Sequence, residues 1–257
     1  MKGSEIFLRA ANSLISAAVA LFLFAAGTYS AYALWDNGQV YAAVDDAQSE
    51  LLRLKPQAAE DGDGASFEEL RAINPDVCAW LTLDNTEIDY PVLQGADNLS
   101  YINTDVYGDF ALSGSIFLDS GCDNSFRGNY SLLYGHHMAN HKMFGDLDLY
   151  EDQKFFQKNR TGTLVLPDRS YSLEIFACLK VAASEENIFM PQKWQTDTAG
   201  LLDFAKGNAV HLHSDIVDKI GTADGYSQIL AMSTCSSDFT DARTIILAVM
   251  KPYSPET

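Results

Sequence analysis

The spacing of hydrophobic and polar residues changes three times along the chain. From Ser13 to Leu34 the run SLISAAVALFLFAAGTYSAYAL is apolar throughout, and no charged residue lies between Arg9 and Asp36. As a helix, a run of this length covers a hydrocarbon core of about 30 Å, so a membrane-spanning segment is expected at 13–34. Apolar residues then recur at Val40, Ala43, Val44, Ala47, Leu51 and Leu54, a helical stripe leaving that segment. Residues 55–65 (KPQAAEDGDGA) form a polar linker. Ser66 with Glu69 three residues on is a capping-box pattern that predicts a short helix to about Ile73.

From Ala79 the pattern becomes that of strands. Trp80-Leu81-Thr82-Leu83, a turn at Asp84-Asn85, and Ile88 to Leu93 predict a first hairpin. Further strands are expected at 115–118, 131–134, 163–166, 171–181, 229–233 and 244–250, which indicates a mostly antiparallel barrel or sandwich. Helical patches are expected at Lys142 to Tyr150 and at Gln195 to Ala205, the second inside a long excursion from about Ala182 to Gly225. An excursion of that length carries structure or function of its own.

Ala31-Tyr32-Ala33 resembles a signal-peptide cleavage site, but the apolar run exceeds the usual h-region of roughly 7–15 residues. An uncleaved signal-anchor is therefore the reading. Lys2 and Arg9 precede the run while Asp36, Asp45 and Asp46 follow it, which places the N-terminus in the cytoplasm and the remainder outside. The expected organisation is a cytoplasmic tail at 1–12, the span at 13–34, a helix and linker at 35–65, and a compact domain at 66–257.

A length of 257 residues suffices for one sizeable core. The net charge of −18 argues against nucleic acid and against electrostatic adhesion to anionic lipid. Cys78, Cys122, Cys178 and Cys235 show no CxxC pairing, so neither a zinc ribbon nor a thioredoxin-like motif is offered. Cys78 and Cys178 sit in apolar strands and read as buried free thiols. Cys122 lies in a Gly/Asp/Asn/Ser turn.

Cys235 differs by its company. It closes Met232-Ser233-Thr234-Cys235 after an apolar run, Arg243 follows shortly, and Tyr134-Gly135-His136-His137 lies far upstream. A thiol, an imidazole and a guanidinium at strand ends suit a cysteine nucleophile with an acid/base and an oxyanion stabiliser. The bland alternative for Arg243 is a surface ion pair with Asp238 or Asp241. Adjacent strand residues point to opposite faces, so only one of His136 and His137 is expected to reach the thiol. His137 and His141 have an i, i+4 spacing that suits a metal only on a helix, which Gly135 argues against. His211 and His213 read as surface or packing residues.

Four segments carry a resemblance: Ile88-Asp89-Tyr90-Pro91-Val92, Gly114-Ser115-Ile116-Phe117-Leu118-Asp119, Leu133-Tyr134-Gly135-His136-His137-Met138, and Ser233-Thr234-Cys235 with Arg243. In this order over about 66–252 the chain resembles a class B sortase, a membrane-anchored cysteine transpeptidase of Gram-positive bacteria. Ala231-Met232 departs from the family's TLxTC at its first two positions, and Ser236 stands where an acidic residue can occur.

The resemblance implies an eight-stranded β-barrel with N-terminal helices and a helix in the long loop before the last two strands. It implies cleavage of a C-terminal sorting signal after Thr, a thioester on Cys235, and transfer to an amine from a cell-wall precursor or a pilin lysine. By the family's Tyr-Gly-His pattern His136 is the acid/base and Arg243 the oxyanion partner. Asn98, Ile102, Ser184, Ile188, Phe189 and Ser233 are expected to line the peptide groove. Neither cofactor nor metal is expected. A hydrolytic cysteine peptidase and an inactive anchored module are the other classes compatible with these residues.

Overall fold

The computed structural model describes residues 2–222, 226–235 and 242–254, without the side chains of 2–4 and 235. The chain divides into two units, Met1–Asp46 and Ala47–Thr257. The first is most of one helix, α1 (Lys2–Leu51), in which the expected span and the stripe after it are continuous. Its apolar side chains, Phe22, Phe24 and Leu34 among them, are exposed.

In the second unit the linker leads into α2 (Gly64–Ile73). The cap is Asp63, not Ser66: the Asp63 carboxylate accepts from the Ser66 N–H at 3.2 Å and the Ser66 hydroxyl at 2.9 Å, and so starts the helix earlier. An aspartate three residues upstream of the serine offers two acceptor oxygens to the orphan N–H groups.

Among the described residues nine strands follow: β1 (Val77–Leu83), β2 (Asp89–Leu93), β3 (Ile116–Leu118), β4 (Tyr130–His136), β5 (Thr161–Val165), β6 (Ser170–Ala182), β7 (Ala209–Leu212), β8 (Ile229–Cys235) and β9 (Ala242–Pro252). Eight of them close in the order β5-β1-β2-β3-β4-β8-β9-β6, with β6 returning to β5. The thirteen-residue β6 also pairs with the short β7 beyond the end of β5. Pairs β2–β3 and β4–β8 are parallel and the others antiparallel.

Strand faces on both sides are covered. Phe67 and Leu70 of α2 pack with Val77 and Trp80 of β1, with Tyr101 and Val106 from the loop after β2, and with Leu51 at the end of α1. Double coverage explains why β1 and β8 are nearly continuous apolar runs instead of alternating ones. The excursion before β8 carries α4 (Glu186–Phe189), α5 (Ala199–Asn208) and α6 (Ser214–Val217); α3 (Gln153–Lys158) precedes β5. The expected patch at 195–205 is α5 shifted by a few residues, because Asp197 accepts from the Ala199 N–H and holds the start there. The patch at 142–150 is a 3₁₀ turn over Gly145–Glu151.

Candidate active site

The parallel pairing of β4 with β8 sets His136 directly opposite Cys235. On the other side of β8 the ladder to β9 is regular as far as Ser233 opposite Ile245, and Arg243 lies two residues beyond it on β9. Arg243 Nη1 donates to the Thr234 carbonyl at 3.4 Å, in keeping with that placement. Three strands adjacent in space thus bring together residues from distant parts of the sequence. The side chain of Cys235 and the whole of 236–241 lie outside the described residues, including Ser236, Asp238 and Asp241.

Gly135 makes the strand end of His136 possible. A Cβ there would sit 2.4 Å from Ile116 Cδ1 and 2.8 Å from the Phe144 ring, so the missing side chain admits Phe144 under the strand. The Phe144 N–H then donates to the His136 carbonyl at 3.0 Å. Asn140, His141 and Met143 all have positive φ in the connecting loop. His137 and His141 therefore share no helical face: His137 Nε2 meets Asp148 at 2.8 Å and His141 meets Asp146. Among the described residues no group of three or more His, Cys, Asp or Glu is placed to hold a metal ion.

His136 Nε2 lies 2.7 Å from the Ile102 carbonyl. A carbonyl only accepts, so Nε2 carries the proton and, in the neutral ring, Nδ1 is the basic nitrogen. The same carbonyl is placed by Gly114, at φ 54°, where a Cβ would stand 2.2 Å from it. This is a physical reason for glycine in the Gly114-Ser115-Ile116-Phe117 segment.

Beside this row opens a cavity of 260 Å³ lined by Asn98, Ile102, Phe117, Tyr134, Ala183, Phe189, Ser233, Thr234 and Arg243. Tyr134 stacks on Phe189 with centroids 6.3 Å apart and tilts against Phe117 at 5.3 Å. Of the expected groove residues, Asn98, Ile102, Phe189 and Ser233 lie here. Ser184 is exposed next to the lining Ala183, and Ile188 is fully buried, its carbonyl accepting from the Tyr130 hydroxyl at 3.0 Å.

Phe117, Tyr134 and Thr234 sit inside the quoted motifs and were legible there as neighbours, though not as groove residues. Asp119 was not singled out for the site. Its buried carboxylate accepts from Asn98 Nδ2 at 2.8 Å and from the Tyr134 hydroxyl at 3.0 Å. The Ser120 N–H donates to Asn98 Oδ1 at 2.7 Å, so both ends of that amide are tied to its own wall.

A closed barrel that pairs a histidine with a cysteine on adjoining parallel strands suits acyl transfer through a thiol. Known proteins narrow the class. The chain is 30% identical over 240 residues to sortase B of Listeria monocytogenes, covering 91% of this chain and 94% of that one. It is also 30% identical over 185 residues to sortase B of Staphylococcus aureus, covering 72% and 73% respectively. Among solved structures, a Streptococcus pyogenes class B sortase involved in pilus biogenesis matches with TM-score 0.64 and 37% identity over 73% of this chain and 99% of that one. A sortase B–substrate complex of S. aureus matches with TM-score 0.69 and 27% identity over 85% and 99%. No family model matches. The chain belongs to the sortase B family and is a sortase-type transpeptidase.

Proposed function

We propose that Cys235 is the nucleophile of this sortase, that His136 is its general acid and base, and that Arg243 holds the carbonyl oxygen. The observation that carries this reading is the register that places His136 opposite Cys235 on β4 and β8, with Arg243 bonded to the adjoining Thr234 carbonyl. The Cys235 thiol gives its proton to His136 Nδ1, and the resulting thiolate adds to the carbonyl carbon of Thr in a C-terminal sorting signal, forming a C–S bond and an oxyanion beside the permanent cation of Arg243. Collapse breaks the C–N bond as His136 gives its proton to the departing amine. The acyl group stays on Cys235 as a thioester. An incoming amine adds to that carbonyl, gives a proton to His136 and expels the thiolate, so one difficult exchange becomes two easier ones. The aromatic wall of Phe117, Tyr134 and Phe189 limits water at the thioester and favours the amine over hydrolysis.

In this reading the donor is a surface protein anchored to the cell wall through a precursor amine. A second reading, polymerisation of pilins through a lysine, is favoured by the similarity to the S. pyogenes sortase of pilus biogenesis. Residues 13–34 span the cell membrane once, 1–12 are cytoplasmic, 35–65 form an external helix and linker, and 66–257 are the external catalytic domain. The long exposed apolar helix at the N-terminus supports that placement.

Mass spectrometry of the full chain in detergent, incubated with a library of sorting-signal peptides with and without triglycine, tests the reading. An amine-linked product absent from Cys235→Ala is expected. Free acid alone with every acceptor points instead to a hydrolytic cysteine peptidase, and a product that survives Cys235→Ala removes the nucleophile assignment.

A further inference from the structure

Behind the row of His136, Cys235 and Arg243 lies a second one. Strand residues alternate faces, so Thr244 points away from the side that Arg243 takes, and His137 turns away from His136. The 3₁₀ turn after β4 packs across this reverse side. One carboxylate there, Asp148, bonds both neighbours: Oδ2 meets His137 Nε2 at 2.8 Å, and Oδ1 accepts from the Thr244 hydroxyl at 2.8 Å. The hydroxyl also lies 3.1 Å from Glu151, whose carboxylate is held by Lys180 at 2.9 and 3.0 Å. Thr244 is further tied to β8, its N–H donating to Thr234 Oγ1 at 3.2 Å.

We propose that Asp148 is a positioning residue of the transpeptidase, a two-armed clamp that sets the spacing of His136 and Arg243 about Cys235 by gripping their chain neighbours His137 and Thr244. The proposal rests on the reading of those three as the reacting set. The His137 side chain is 42% exposed and that of Asp148 46%, and ion pairs so open to water add little to stability. Geometry is the larger effect. On the β8 side the regular β8–β9 pairing stops at Ser233 and Ile245, and beyond it the clamp joins the ends of β9 and β4 across β8. A small displacement of a reacting group weakens catalysis far more than it weakens folding.

The test uses the full chain in detergent, with wild type, Asp148→Ala, Asp148→Asn, Thr244→Val, and Cys235→Ala as control. Iodoacetamide alkylation of Cys235, followed by mass spectrometry across pH, needs no substrate. Removing a negative charge near a thiol, by itself, favours the thiolate and speeds alkylation. Loss of the clamp withdraws the cation and imidazole from the thiol and slows it, so direction separates the two effects.

Alkylation slowed several-fold at neutral pH in Asp148→Ala is expected, with an intermediate value in Asp148→Asn, which keeps an acceptor for Thr244. For a sorting-signal peptide that the wild type cleaves, kcat falls about tenfold with KM unchanged, the pattern for a group acting on the transition state alone. Thr244→Val shows part of the loss, and combining it with Asp148→Ala adds little, because Asp148→Ala already removes that arm. Unchanged or faster alkylation overturns the proposal, as does full additivity of the two substitutions. Activity retained by Cys235→Ala defeats the underlying reading instead.

Discussion

The four cysteines of the chain have the same side chain and, in the proposed reading, only one reacts. Burial pushes the Cys78 thiol up to about 12, and does the same at Cys122 and Cys178. All three are free and buried. A thiol that is neither ionised nor accessible does not react with alkylating agents. Brief treatment of the native protein with iodoacetamide is therefore expected to modify Cys235 alone, with all four modified in denaturant; native labelling at Cys122 would contradict the packing of its turn. The two histidines of the Tyr134-Gly135-His136-His137 segment divide in the same way, by direction. His136 bonds the Ile102 carbonyl at the groove, whereas His137 turns to Asp148. Replacing Cys235 by alanine is expected to abolish turnover, and His136→Ala or Arg243→Ala to lower kcat/KM by several orders of magnitude, whereas His137→Ala costs less than about tenfold. Equal losses from the two histidine changes would remove the distinction between them.

At the scale of elements, several motif residues serve the barrel instead of the chemistry. Asp89 in Ile88-Asp89-Tyr90-Pro91 accepts from Trp80 Nε1 at 2.7 Å, from the Thr82 hydroxyl at 2.9 Å and from Lys55 at 2.7 Å. It joins β1, β2 and the linker after α1. Trp80 is fully buried, so Asp89→Ala leaves its indole N–H without that acceptor, a loss of about 1–3 kcal/mol in chemical denaturation. An unchanged midpoint would mean that water replaces the carboxylate.

This division also shows what was legible in the sequence. The main strands and the Cys, His and Arg positions could be read because apolar runs and motif spacing are local properties. The parallel pairing of β4 with β8, which sets His136 against Cys235, connects segments about a hundred residues apart and has no local signature. The continuity of α1 was hidden by Asp36, Asn37 and Gly38, which look like a break but are tolerated in an exposed helix. The short β7 was missed because most of its residues are only half-buried. Asp119 was missed because its role depends on two partners, Asn98 and Tyr134, that only the fold brings to it.

Over the whole molecule, the depressed pKa values predict how the external domain fails in acid. The Gln57 N–H bonded to Asp63 and the Ser125 hydroxyl at Asp123 hold these carboxyls below the ordinary 3.8. Burial depresses His213 below 6.5, where its ring stacks on Phe156 with centroids 4.2 Å apart. Each of these groups binds protons more readily in the unfolded chain, so stability falls with pH, first below 6.5 through His213 and then near and below 3.8 through the carboxyls. The net charge of −18 acts in the opposite sense, because protonation relieves self-repulsion. The two effects separate by substitution and by salt. His213→Gln keeps a donor for the Phe156 carbonyl, does not titrate, and changes the overall charge hardly at all. Thermal unfolding of both proteins at 0.15 M salt, where the screening length is about 8 Å, is expected to show wild type losing stability relative to the variant between pH 6.5 and about 5. The difference should persist at 1 M salt, because a buried ring is poorly screened. Curves that stay parallel across that window would mean that His213 takes up its proton without disturbing the packing against Phe156.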